Sequence, residues 1–351
     1  MKFCMFGWNF PIQLGKAFEE EGHNVLYNRY SEDVDVVIVQ SLKYIYPVYR
    51  KLKSIKKNKI KLINFVLDVP PWRFEDNFHQ NSLKNYIKTR SFDIVNKNQF
   101  FYDKISHFKP NDKKGKIYNF SSSSAQQTFN ENLHNKFTYY VNYRKFLKNS
   151  DLNLTISKYS QNLIQRFLKL NCELCYLCVN SDLLTSISTL PKKYDAINIS
   201  RIVYTKRQKI FVEAANRLGL NILVIGRHQD KTIKLNCPTY HIPDITEALK
   251  KLSESGFYVD ASIYEGFGLT PIEAAYLNKI SIVSDTYVHK EVLGDYPLYF
   301  KRNNIDDLTE KMKMVLNGDF TLNKKSVQNI KEKYSIQTVK RNLMKYVESL
   351  F

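Results

Sequence analysis

The sequence predicts an α/β protein with two Rossmann-like domains, each built on a doubly wound parallel sheet. The chain has 351 residues, enough for two domains of ordinary size. Hydrophobic residues make up 43% of it, which can supply a core for each domain. Short apolar runs alternate with helix-like stretches along the chain. This alternation is typical of strands and helices in doubly wound parallel sheets.

The elements of the first half follow from this alternation. Strands are predicted at Lys2–Phe6 and at residues 25–27, 34–39 and 62–67, where the runs are apolar. A helix is predicted at 13–21, ending at Gly22, because glycine readily closes a helix. Residues 92–124 are polar and serine-rich and predict a mobile loop. Residues 150–160 predict a strand that leads into a capped helix.

The second half continues the same order. Residues 177–179 predict a buried strand, and residues 219–226 an apolar strand that ends in Gly226. A helix and a strand are expected within 243–265, with the strand reaching 259–263, and another strand at 281–285. Residues 334–351 have the pattern of an amphipathic terminal helix.

The most informative stretch runs from Tyr264 to Ala275, because it carries two glutamates, Glu265 and Glu273, around a glycine-rich turn between a strand and a helix. Gly266 and Gly268 permit a tight turn. Such a turn directs backbone N–H groups and the positive end of a helix to one point, where an anion is favoured.

Two interpretations of Glu273 remain open on the turn alone. Thr270 and Pro271 predict an N-cap followed by a proline at the first helical position. Glu273 lies three residues after that cap, so it can be part of a capping box. Glu265 precedes the glycines and cannot cap this helix, which favours a functional interpretation of the pair.

A second candidate pair lies upstream, where an apolar run is followed by Arg201 and Lys206. Two cations on a rigid scaffold can stabilise a leaving diphosphate, which gains negative charge as its bond to a sugar breaks. A solvated basic loop is the alternative, because Arg207 and Lys209 lie in the same stretch.

These motifs resemble the retaining nucleotide-sugar glycosyltransferases of family 4, which are marked by two glutamates separated by seven residues. The resemblance implies the GT-B fold, in which two Rossmann-like domains face each other. It places an acceptor-side domain at 1–183, a linker at 184–196 and a donor-binding domain at 197–334. Residues 335–351 would form a terminal helix that crosses back to the first domain.

The resemblance also assigns roles at the donor site. Glu265 would contact the donor sugar or its phosphate, Arg201 and Lys206 would neutralise the diphosphate, and Glu273 would hold the ribose hydroxyls. The remaining expected binding residues are Gly266, Phe267, Gly268, Leu269 and Thr270 in the turn, and His241 and Ile242 near the base.

The acceptor side departs from the family pattern. The family often has a histidine-aspartate pair at the end of a middle strand, and here Leu67 precedes Asp68. Asp68 is nevertheless predicted as a catalytic residue, with Trp72 and Arg73 as candidate contacts. A prolyl turn with a packing tryptophan explains the same residues equally well.

No metal and no cofactor besides the nucleotide-sugar co-substrate are expected. Cys172, Cys175 and Cys178 are closely spaced, but a structural zinc usually takes four ligands. The chain has five cysteines and starts with a strand-like segment rather than a signal peptide, which favours reduced thiols in the cytoplasm. No apolar run is long enough to span a bilayer.

The net charge of +19 raises the question of an anionic partner. Residues 50–61 hold seven cations and no acid. This segment is either a solvated helix face or a contact to an anionic membrane surface, with Leu52, Ile55 and Ile60 as an apolar face. Nucleic acid is not the expected partner, because no DNA- or RNA-binding motif accompanies the charge.

The sequence therefore predicts a retaining, metal-independent hexosyltransferase that moves a sugar from a UDP- or GDP-linked donor to a glycan or lipid-linked acceptor, at the inner face of a membrane. Two alternatives remain. One is a nucleotide-sugar-binding protein without turnover, and the other is an enzyme that glycosylates a modified base in nucleic acid.

Overall fold

The computed structural model describes residues 1–7, 9–40, 42–67, 144–187, 189–230 and 232–351. The chain divides into two compact units. The described part of the first unit extends to Tyr176 and includes Lys340–Phe351, and the second unit holds Leu177–Val339. Each unit contains one six-stranded parallel sheet. The predicted fold class, two Rossmann-like α/β domains, is confirmed.

The first unit has its strands in the order β2-β1-β3-β4-β5-β6. The strands are β1 (Lys2–Phe6), β2 (Asn24–Tyr27), β3 (Val36–Gln40), β4 (Lys61–Val66), β5 (Leu152–Thr155) and β6 (Glu173–Leu174). Its helices include α1 (Asn9–Glu19), α2 (Leu42–Lys57) and α3 (Lys158–Leu163), which continues as a π-helical turn over Ile164–Leu168. The side chain of Ser157 caps α3, as predicted, by accepting a hydrogen bond from the Ser160 amide.

The second unit has the strand order β12-β11-β10-β7-β8-β9. The strands are β7 (Tyr194–Ile199), β8 (Ile222–Ile225), β9 (Thr239–Tyr240), β10 (Ser255–Asp260), β11 (Ile280–Ser284) and β12 (Leu298–Phe300). The helices are α4 (Ser181–Ser186), α5 (Gln208–Arg217), α6 (Ile245–Ser253), α7 (Leu269–Tyr276), α8 (Tyr287–Leu293), α9 (Ile305–Leu316) and α10 (Lys324–Lys333). Helix α11 (Ile336–Glu348) begins in this unit, and its residues from Lys340 onward belong to the first unit.

Several predicted boundaries are corrected by the structure. Helix α1 begins at Asn9, not at residue 13, and β10 ends at Asp260, three residues before the predicted end. Residues 177–179 are buried but lie outside the strands. The strand that precedes them is the short β6 of the first sheet, which ends at Leu174. The predicted loop at 92–124 lies outside the described residues.

The apolar face of the basic segment 50–61 packs inside the first unit. Ile55 and Ile60 are fully buried, and Leu52 is partly covered. The ammonium of Lys56 forms a 2.8 Å ion pair with Asp151. The apolar face is therefore part of the core, and charge alone remains available for an outside partner.

The last residues of α11 pack with the first unit. Lys340 is nearly buried, and its ammonium lies 2.7 Å from Glu21. The hydroxyl of Tyr346 donates to the carbonyl of Leu174. Because of these contacts, Lys340–Phe351 belong to the first unit, although they are far from its other residues in the sequence.

Candidate active site

The candidate site lies at the carboxyl ends of β7, β10 and β11 in the second unit. Parallel strands present these ends at one edge of the sheet, where α/β proteins usually bind ligands. The amide of Ile263 donates to the carbonyl of Thr205 at 2.9 Å, which joins the segment after β10 to the turn after β7. This hydrogen bond brings two predicted site residues, Lys206 and Glu265, together.

Lys206 and Glu265 form an ion pair. The ammonium of Lys206 donates to the carboxylate of Glu265, and the two side chains are only 13% and 10% exposed. The chain spacing that predicted a role for each residue did not predict this contact. The pair places one cation and one carboxylate in a poorly hydrated position, where both act more strongly than in water.

Polar side chains hold the backbone at Arg201 in place. Asn198 donates to the carbonyl of Val259, and Ser200 donates to the side-chain oxygen of Asn198, each at 2.8 Å. The amide of Gln208 donates to Ser200 and to the carbonyl of Arg201. Arg201 is exposed, and its guanidinium donates to the side-chain oxygen of Gln229 at 3.4 Å.

The glycine-rich turn differs from the prediction in where α7 begins. The helix starts at Leu269, and Gly268 is its N-cap with a φ of 87°. Thr270 therefore lies inside the first turn, and its hydroxyl donates to the carbonyl of Ile199 at 3.4 Å. Since Thr270 is not the cap, the capping-box interpretation of Glu273 is wrong.

The side chain of Phe267 anchors the glycine-rich turn by packing into the interior of the second unit. Its ring is 3% exposed and packs edge-on against Tyr334 at 5.4 Å between ring centroids. The hydroxyl of Tyr334 donates to the carbonyl of Val292 at 2.7 Å. Any contact of Phe267 with a ligand would therefore come from its backbone.

Glu273 is a partly buried carboxylate on α7. Burial raises its pKa to about 7. Within the described residues, no hydrogen-bonding side chain holds its charged form. Such a group is suited to accept hydrogen bonds from ligand hydroxyls, which would favour its ionised state.

Asp260 and His289 lie directly behind the Lys206–Glu265 pair, and the sequence did not single them out. One side-chain N or O atom from each of Asp260, Glu265 and His289 lies within 4.8 Å of the others. Asp260 accepts hydrogen bonds from the amide and hydroxyl of Ser262. The only sequence signal is an acidic residue at the carboxyl end of an apolar strand.

The remaining predicted residues fall into two groups. His241 and Ile242 follow β9 at the same sheet edge, with His241 exposed. Asp68, Trp72 and Arg73 lie outside the described residues.

Among the described helices, none is long and apolar enough to span a membrane.

Comparison with protein families gives a match within the second unit. Residues 185–333 match the family described as "Glycosyl transferases group 1". A search of curated proteins finds no relative. Many solved structures share the fold.

Three examples match this chain over almost its whole length. HepE of Anabaena, solved with UDP and glucose, has a TM-score of 0.62 at 11% identity, over 99% of this chain and 100% of that one. A glycosyltransferase from Rickettsia africae has a TM-score of 0.63 at 13% identity, over 99% and 98%. Sucrose-phosphate synthase of Thermosynechococcus elongatus has a TM-score of 0.61 at 14% identity, over 100% and 99%. These structures share the two-domain α/β fold of this chain, and the family match covers residues 185–333.

Proposed function

We propose that this protein is a retaining glycosyltransferase that transfers a hexose from a nucleotide diphosphate sugar. The observation that carries the proposal is the partly buried Lys206–Glu265 pair beside the N-terminus of α7. The pair combines a cation for a diphosphate with a carboxylate for sugar hydroxyls. The family match in residues 185–333 supports the same activity.

The donor would bind along the carboxyl edge of the second sheet. The diphosphate would lie between Lys206, Arg201 and the first N–H groups of α7, at Leu269 and Thr270, which have no partner within the helix. Glu273 would accept hydrogen bonds from the ribose hydroxyls, and the segment at His241 and Ile242 would contact the base. UDP is the first nucleotide to test, because HepE was solved with UDP.

The chemistry follows from where charge develops. As the bond between the sugar and the β-phosphate oxygen breaks, the leaving diphosphate gains negative charge. Lys206, Arg201 and the helix N-terminus would stabilise that charge. The departing phosphate oxygen can take the proton of the acceptor hydroxyl while the new bond forms on the same face, which retains the anomeric configuration. No bound metal is required in this scheme.

The acceptor would be a glycan or a lipid-linked sugar, with Asp68 among its contacts. We also propose a cytoplasmic location at the inner face of a membrane. Support for the membrane contact is limited to the exposed cations of residues 50–61, of which Lys51, Lys53, Lys57 and Lys59 face solvent. Each lysine near an anionic surface contributes about 1 kcal/mol.

A donor-turnover assay tests the proposed activity. Purified protein is incubated with UDP- and GDP-linked hexoses, with and without EDTA. The release of nucleotide is measured, and proton NMR identifies the anomer of the sugar product. We expect release from one donor, unaffected by EDTA, with the donor's anomeric configuration kept. An inverted anomer would contradict retention. Tight donor binding without release would favour the nucleotide-sugar-binding protein.

A further inference from the structure

A buried acid and histidine lie behind the proposed diphosphate site and take no part in the scheme above. Asp260 is 2% exposed and His289 is fully buried. The Nε2 atom of His289 lies 3.9 Å from the Asp260 carboxylate and has no hydrogen-bond partner. Orphaned polar atoms in native interiors are uncommon and usually have a reason.

The other ring nitrogen fixes the protonation pattern of His289. Its Nδ1 lies 2.8 Å from the carbonyl oxygen of Ser284, which can only accept, so Nδ1 carries a hydrogen. A neutral ring then presents a lone pair at Nε2 toward an ionised carboxylate. The carboxylate oxygen nearest to Nε2 accepts a hydrogen bond from the Tyr258 hydroxyl at 3.3 Å, whereas Nε2 itself stays unsatisfied. A second proton, on Nε2, would turn the same contact into an N–H that faces Asp260.

The surrounding charges make this proton relevant to anion binding. Around the pair, the charged groups are Glu265 from the turn after β10 and Lys206 from the turn after β7. The uncharged groups are the hydroxyls of Tyr258 on β10 and Tyr299 on β12, which donate to Asp260 and to the His289 carbonyl, together with Ser284 of β11 and Gly268, the N-cap of α7. One ammonium therefore faces two carboxylates. An excess of negative charge in a poorly hydrated site opposes the binding of a diphosphate.

We propose that the Asp260–His289 pair takes up one proton from solvent when an anionic nucleotide binds beside Lys206, and that both are positioning residues for the donor. The inference rests on the proposed function. The proton would stay on Nε2, neutralise Asp260 and leave Lys206 to serve Glu265 and the diphosphate.

The electrostatic environment of Asp260 agrees with this assignment. Desolvation opposes its ionisation, but the charge of Lys206, the charge of a protonated His289 and the hydrogen bonds from Ser262 outweigh it and lower the pKa of Asp260. Once Nε2 carries the proton, Asp260 is therefore held ionised beside it. His289 packs beside Gly268, and a Cβ added to this glycine would lie 3.6 Å from Nε2. This close packing leaves little room for a water molecule that could hydrogen-bond to Nε2.

Calorimetric titration of the full chain with UDP and GDP tests the proposal. Titrations at pH 8.0 in buffers of different ionisation enthalpy count the protons taken up per nucleotide. At this pH the nucleotide phosphate is ionised, since its second pKa is about 6. We expect close to one proton for the wild type, and a Kd that rises up to about tenfold per pH unit between pH 8 and 9.

Two variants separate charge from packing. His289→Asn keeps a donor for the Ser284 carbonyl but lacks Nε2, so it should take up no proton and bind weakly at every pH. Asp260→Asn removes the second carboxylate, so it should bind UDP or GDP with little pH dependence and without proton uptake. A merely structural pair would weaken binding in both variants alike. His228→Asn, at an exposed position, is the matched control and should keep the wild-type proton count.

The outcomes distinguish this inference from the proposed function. If neither nucleotide binds the wild type, the proposed function fails and the inference fails with it. If a nucleotide binds without proton uptake, or if His289→Asn retains the uptake, only the inference is overturned. The wild-type count decides the question even where a variant does not fold.

Discussion

Lys206 and Glu265 come from two different strand ends and form one partly buried ion pair at the carboxyl edge of the second sheet. The pair places a cation beside the N-terminus of α7 without leaving its charge unbalanced when no ligand is bound. Removing either partner strands the other charge in a poorly hydrated site.

A double-mutant cycle tests this coupling. Lys206→Met and Glu265→Gln should each lower the free energy of unfolding, with Lys206→Met costing about 3 kcal/mol because it leaves a buried carboxylate unpaired. The double variant should lose less than the sum of the two. Urea denaturation at pH 7.5 measures all four proteins. Additive losses would show that the two side chains do not interact.

Glu273 should make stability depend on pH. Its folded pKa of about 7 lies above the unfolded value of about 4.3, so the folded protein holds an extra proton between these values. The free energy of unfolding should therefore fall as pH rises from about 5 to 7.5, by up to about 3 kcal/mol. Glu273→Gln should remove this component.

Urea denaturation of wild type and Glu273→Gln at pH 5.5 and pH 8 measures the difference. Bound UDP or GDP should reduce it, because ribose hydroxyls that donate to Glu273 favour the ionised form. Equal pH dependence in the two proteins would contradict the assignment.

Gly226 should tolerate no side chain. A Cβ at this position would lie 1.8 Å from the carbonyl oxygen of Ser200, next to Arg201. Gly226→Ala should cost more than 3 kcal/mol and weaken nucleotide binding, because the end of β7 must move. Gly219→Ala is the control, since Gly219 has a φ of 64° and open space around it. That variant should cost only about 1 kcal/mol and leave binding unchanged.

Phe267 should act through packing rather than ligand contact. Phe267→Leu keeps the backbone N–H groups of the turn but loses the edge-on contact with Tyr334. We expect a loss of about 1–2 kcal/mol in unfolding free energy. The Kd for the nucleotide should change less than threefold. A large change in Kd at unchanged stability would instead indicate direct contact with the ligand.

The closely spaced cysteines should be unreactive in the folded protein. Burial raises the pKa of Cys172 and of Cys178 to about 12, so little thiolate forms at neutral pH. Both thiols should resist a disulfide reagent in buffer and react in urea. Mass spectrometry of labelled peptides identifies each site. Rapid labelling of Cys172 in the folded protein would contradict the buried placement.

The elements around the site could be predicted because their signals are local. An apolar run predicted β10, and the glycines predicted the turn before α7. The start of α7 was mispredicted because the hydroxyl of Thr270 is used by the carbonyl of Ile199, a tertiary contact that overrides the local capping rule. The contact between Asp260 and His289 was missed for a similar reason. It exists only once β10 and β11 are paired.

The most direct test of the donor site is thermal stabilisation by nucleotides. Wild type, Lys206→Ala and Glu273→Ala are heated with a panel of nucleoside diphosphates and nucleotide sugars, at concentrations up to a hundred times the Kd, where binding adds about 2.7 kcal/mol. The proposed donor site requires that one base raises the Tm of the wild type and that both substitutions abolish the shift. A wild type that no nucleotide stabilises would contradict it.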